Sequence, residues 1–281
     1  MIAASRHAPL VAAALAGMPG NVQEHPAGRW DLRLGATPVS ARLDDAWLLF
    51  SASAPTTTAP AAMLAWNGAL TGHVKFVLSE NGEPQLRAEI PLDDDAEPLI
   101  REAWSGLGGA LALLRGEAVQ TPAGETAPAV SQDEMQRLCA EAGWPATLRS
   151  DGSCAVEIES PGAFVQALLT ARGAGLRAAV QLASLPASAT DSVCAVSRLL
   201  LMTGGVVRLA RAAVETGGGK VLPRLEVTFS TRPAADHLAH ALSGLSVAHQ
   251  LCAEEARALH DTNLAGAFLA LSNTTTRKET T

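Results

Sequence analysis

Gly72-His73-Val74-Lys75-Phe76, then a turn, Pro84-Gln85-Leu86-Arg87, and a helical run ending in Ser105-Gly106-Leu107 decide the fold, because the chain repeats them. The second statement is Gly205-Val206-Val207-Arg208-Leu209, a turn, Pro223-Arg224-Leu225-Glu226, and a helical run through Ser243-Gly244-Leu245, offset by 133, 139 and 138 residues. Upstream, Gly17-Met18-Pro19 answers Gly143-Trp144-Pro145 at an offset of 126, and Pro55 answers Pro186 at 131. Any one of these matches is short enough for chance. Five in order, each at the same point of a periodic pattern, predict two copies of one unit.

Working outward, each copy reads as helix, three strands, helix, two strands, helix. In the first, a short helix from Pro9 to Leu15 is closed by Gly17 and Pro19, and Trp30 to Leu34 alternates with strand period. Val39 to Ser51 gives one or two strands with a break at Asp44-Asp45, and a helix spans Pro60 to about Leu70. Val74 to Leu78 and Leu86 to Ile90 flank Asn81-Gly82, a strong hairpin signal. A third helix follows Pro91, its acidic run Asp93 to Asp95 suiting the helix dipole. In the second copy Ser131 and Glu134 form a capping box for a helix from Gln132 to Ala142. Strands are expected at Ala155 to Glu159 and between Ala163 and Ser184, a helix from Ala189 to Met202, and a hairpin from Val206 to Phe229 turning at Thr216-Gly217-Gly218-Gly219. The expected organisation is a first repeat at 1–115, a linker at 116–130, a second repeat at 131–252, an extra C-terminal helix at 253–271 and a disordered polar tail at 272–281. The fold class is α+β: two tandem units, each an antiparallel sheet packed by helices, forming a pseudo-dimer.

The 281 residues suffice for two ordinary domains. Net charge is −7 and uneven: residues through Val130 carry 8 basic and 14 acidic side chains, the rest 13 and 14. An acidic first half disfavours nucleic acid and anionic membrane as partners and suits a modestly basic protein. Aromatics make up 4% of the chain, with no tyrosine, which argues against base stacking. Cys139, Cys154, Cys194 and Cys252 form no Cys-x-x-Cys pair, so buried free thiols in a reducing cytosol are expected. There is no run of eighteen apolar residues, so no membrane span is expected. The opening MIAASRHAPLVAAALAG places Arg6 before an apolar run as a secretory leader does, but the run is short and matches a helix in the second copy.

No chemical constellation outweighs its plain reading. Thr216-Gly217-Gly218-Gly219-Lys220 lacks the spacing of a phosphate loop, with Val214 where a glycine is needed and Val221 after the lysine. Asp236, His237 and His240 share one side of a helix without a third metal ligand at a recognised spacing, and read as a solvated face. Asp44-Asp45 and Glu254-Glu255 are neighbours whose side chains diverge. Neither a catalytic residue, a cofactor nor a metal is expected, and the chain reads as non-enzymatic. Trp47-Leu48-Leu49-Phe50 is continuously apolar, which fits either a strand buried on both faces or an apolar surface awaiting a partner.

The element order, with Leu64-Ala65-Trp66-Asn67 closing the second helix, Gly72-x-Val74-x-Phe76, Asn81-Gly82 and Leu86-Arg87-Ala88-Glu89-Ile90-Pro91-Leu92, resembles the type III secretion chaperone-like fold, the Tir-chaperone type and its YbjN-like relatives. The second copy has leucines (Leu199, Leu200, Leu201) where Asn67 would recur. That resemblance implies a cytoplasmic protein holding an extended segment of a partner protein, and this chain looks like a homodimer of that kind fused into one monomeric polypeptide. By this analogy Trp47, Leu49, Val74 and Phe76 are candidate partner contacts. Two alternatives stay open: a small-molecule site or enzyme with a pocket between the halves, and a structural subunit of a larger assembly.

Overall fold

The computed structural model describes residues 2–19, 22–70, 72–93, 96–117, 129–160 and 162–278. Most of the expected linker, Asp94 and Asp95 of the acidic run, and the last three residues of the tail lie outside these.

The chain is α+β with two similar halves. The first comprises α1 (Ile2–Ala16), β1 (Gln23–His25), β2 (Arg29–Leu34), β3 (Thr37–Asp44), β4 (Trp47–Ser53), α2 (Pro60–Ala69), β5 (Val74–Leu78), β6 (Pro84–Pro91) and α3 (Ala96–Leu114). The second comprises α4 (Gln132–Glu141), β7 (Ala146–Leu148), β8 (Cys154–Ser160), β9 (Ala163–Arg172), β10 (Gly175–Gln181), β11 (Leu185–Pro186), α5 (Thr190–Val206), β12 (Arg211–Gly217), β13 (Lys220–Phe229), α6 (Ala235–Ala258) and α7 (Thr262–Lys278). The first sheet runs β1-β2-β3-β4-β6-β5; the second repeats that order as β7-β8-β9-β10-β13-β12, with β11 also pairing β13. Every pairing is antiparallel.

Local signals account for much of this. Ser131 accepts a hydrogen bond from the Glu134 backbone and starts α4. Gly218 and Gly219 take φ of +57° and +72° between the paired ends Gly217 and Lys220, the left-handed pair a two-residue hairpin turn needs. In β2 and β4 burial alternates: Trp30, Leu32, Leu48, Phe50 and Ala52 point into the core, and their neighbours point away.

Three expectations need correction. Val206 to Leu209 is not strand. α5 continues to Val206, Leu209 takes φ +63°, and β12 starts only at Arg211. Residues 253–271 are not one added helix, since α6 runs unbroken to Ala258 and a separate α7 packs on α5. Residues 272–278 are helical: once α7 is anchored, each further residue adds a hydrogen bond without a new nucleation cost. A short strand, β1, also precedes the three expected in the first half, as β7 does in the second.

The halves meet reciprocally. Helix α2 packs on β12, α5 packs on β5, and the two helices touch each other. Close approach is made possible by glycine: a Cβ on Gly205 would sit 2.4 Å from the Leu78 carbonyl oxygen.

Candidate partner-binding surface

The junction holds most of the buried charge. Lys75, 1% exposed, pairs with Glu89 at 2.7 Å and donates to the carbonyls of Val207 at 2.7 Å and Ala210 at 3.2 Å in the other half. Glu89 also accepts from the Leu209 N–H at 2.7 Å. The second half answers in kind. Arg211 pairs with Glu226 at 3.0 Å and donates to the carbonyls of Leu70 and Val74 in the first half. Glu89 and Glu226 hold corresponding places, each two residues after an arginine (Arg87, Arg224). Lys75, however, lies opposite Arg87 in register, whereas Arg211 lies directly opposite Glu226. Asn67 donates to Phe76 of its own half at 3.0 Å and to Ala212 of the other at 2.8 Å.

Burial pushes the Lys75 ammonium down against the upward pull of Glu89, and it lowers the Arg211 guanidinium likewise. Burial pushes the Glu226 carboxyl up, but Arg211 and Arg224 together outweigh it and hold it below the ordinary range. These groups satisfy one another and the facing backbone. Their arrangement joins the two halves, and Glu89 also lies along the hollow on the first sheet.

The four residues expected to touch a partner separate into two kinds. Val74 and Phe76 are each 1% exposed and cannot meet a partner surface. All of β5 is buried, because α5 covers the face that its own half leaves open. Trp47 and Leu49 lie half-buried on the outward side of β4. Trp47 stacks under the Arg208 guanidinium at 5.0 Å and meets His240 edge-on, so the second half claims it too. Leu49 lines an open, mostly polar hollow on the first sheet with Arg29, Arg42, Ser40 and Arg87.

The side of α6 expected to be wet is so only in part: Asp236 and His240 are exposed, and His237 turns inward. His237 is 8% exposed and its Nε2 sits 2.6 Å from Asp93 of the first half. Packing of the first two turns of α6 against that half explains the contacts of His237 and His240. Among the described residues no group of three or more His, Cys, Asp or Glu could hold a metal. Cys139 and Cys252 are buried free thiols, each pushed up to about 12 by burial. No helix among the described residues is long and apolar enough to cross a membrane.

Three exposed apolar side chains gather elsewhere. Phe164 at the start of β9 is 69% exposed; Val247 and Leu251, one turn apart on α6, are 47% and 50% exposed. With Glu159, Gly162, Ala163 and Gln250 they line a groove of about 790 Å³ between α6 and the β8–β9 hairpin. Nothing in the local sequence marked Phe164, since it stands where strand alternation starts. Val247 and Leu251 carry the usable signal: an i, i+4 apolar pair on a helix whose buried stripe is already filled by Leu238, Leu242 and Leu245.

No family model matches the chain, and no curated protein matches it either. Among solved structures, a chain of the HopA1–SchA chaperone–effector complex is similar to it at 15% identity, over 40% of this chain and 94% of that one, with a TM-score of 0.30. A likeness that slight carries nothing about function from that protein to this one.

Proposed function

We propose that the protein is a non-enzymatic, chaperone-like cytoplasmic protein that holds an extended segment of another protein in the groove between α6 and the β8–β9 hairpin. The observation that carries this reading is the convergence of Phe164, Val247 and Leu251 on one groove. Solvent-facing apolar side chains gathered in this way gain free energy when covered. Glu159 lines the groove, and Glu157 on β8 and Glu254 on α6 are exposed. The matching segment therefore bears apolar side chains with lysine or arginine beside them. Partners of nucleic acid or membrane do not suit this chemistry. Because the junction charges are consumed within one polypeptide, the reading has the chain act as a monomer with no catalytic group or cofactor of its own.

The test is co-purification of the full chain from its native host, with bound proteins identified by mass spectrometry, beside a Val247→Asp/Leu251→Asp variant. Both positions are exposed, so folding is spared. The expected result is a stoichiometric protein lost in the variant whose apolar, basic segment, made as a peptide, binds the wild type alone. Equal capture by both forms would overturn the assignment of the groove.

A further inference from the structure

Beside that groove, and sharing Ala163 with it, lies a smaller and more enclosed cavity of about 210 Å³. Its floor is apolar: Val165 from β9, Leu182, Val196 from α5, and Ala253 and Ala256 from α6. Its polar lining is His249, Arg257, His260 and Gln181, with no carboxylate among them. His249, Ala253, Ala256 and Arg257 form one stripe of α6, which His260 extends past the helix end. The His249 ring is 6% exposed, and its Nδ1 is buried without a hydrogen-bond partner. The side chains of Arg257, His260 and Gln181 also make no hydrogen bond or ion pair with another described residue. Arg257 is close enough that its charge, after burial itself, lowers the His249 imidazole.

A buried donor or acceptor left unpaired, beside a permanent cation, costs stability that the fold alone does not return. We propose that this cavity binds a carboxylate carried on a short apolar group. The carboxylate accepts from the Arg257 guanidinium and from an imidazole N–H, and the apolar group covers Val165, Leu182 and Val196. One permanent positive charge matches a monoanion, and a phosphate monoester would be left undercompensated. Such a carboxylate has two sources: a free short-chain acid, or the C-terminus of a protein segment whose preceding residues lie in the adjoining groove. The second source rests on the groove being a docking site; the first does not.

Titration calorimetry on the full chain separates them, with three probes: hexanoate, a peptide ending in leucine with a free carboxylate, and the same peptide amidated. Binding of either acid, with the amide and the Arg257→Gln variant about tenfold to a hundredfold weaker, supports the site. Hexanoate alone binding assigns a small molecule; the acid peptide alone binding assigns a chain end. Hexanoate reaches the cavity without the groove, so its binding is decided independently of the groove reading. Because Arg257 is exposed, its substitution spares folding, as a matched melting curve will show. No acid binding at millimolar concentration, an amide equal to the acid, or Arg257→Gln without effect would each overturn the proposal.

Discussion

Glu89 shows how much one side chain can be asked to hold. It lies at 3% exposure, neutralises Lys75 at 2.7 Å, and takes the N–H that Leu209 presents only because its backbone turns left-handed at φ +63°. Replacing it with glutamine keeps the shape and an acceptor oxygen but strands the lysine. An ammonium left buried without its counter-charge costs about 3–5 kcal/mol. Glu89→Gln is therefore expected to lower unfolding stability by that amount in urea. In the same assay Lys75→Met/Glu89→Gln should recover part of the loss, because no uncompensated charge remains. A single substitution costing under about 1 kcal/mol would mean that water reaches Lys75 and that the junction is not closed. Lys75 is the one polar residue of β5, yet nothing local names Glu89 as its counter-charge. What the sequence also could not supply was the partner's carbonyls at Val207 and Ala210, over a hundred residues away.

At the scale of elements, two glycines in the paired helices α2 and α5 look alike in sequence and differ in consequence. A Cβ on Gly205 would press to 2.4 Å from the Leu78 carbonyl oxygen, a backbone atom that cannot swing aside. On Gly68 the nearest atom would be the Arg224 guanidinium at 3.6 Å, ordinary contact with a flexible side chain. Gly205→Ala is expected to destabilise by roughly 1–3 kcal/mol by overpacking. Gly68→Ala is expected to be neutral or to stabilise by up to about 1 kcal/mol from helix propensity. Thermal melts of the two variants should move in opposite directions or differ clearly; equal losses would contradict the packing described. The same elements show why legibility stopped where it did. Capping at Ser131, the turns at Asn81-Gly82 and Gly218-Gly219, and the alternation in β2 follow from local chemistry and could be read directly. Val206 to Leu209 could not, because two successive valines in an apolar stretch read as strand unless the end of α5 before them is known. Nor could the burial of Val74 and Phe76, or that of His237, since each depends on a surface from the other half.

For the whole molecule, the reciprocal junction implies that neither half is complete. Alone, the first half would leave Lys75 and Asn67 without the carbonyls they donate to across the junction. It would also bare the β5 face that α5 covers. Alone, the second would leave Arg211 without the carbonyls of Leu70 and Val74. Exposed to water these groups are solvated, but the apolar surface around them is not, and an unpaired sheet edge invites association. The chain divided between residues 118 and 128 and expressed as two polypeptides is therefore expected to yield a one-to-one complex that co-elutes and melts in a single transition. Each part expressed separately is expected to aggregate or to self-associate, pairing its open edge and helix with a second copy of itself. Size-exclusion chromatography with light scattering distinguishes these outcomes. Two separately soluble, monomeric, cooperatively melting halves would show that the buried charges decorate the contact without holding it, and the chain would then be two domains side by side.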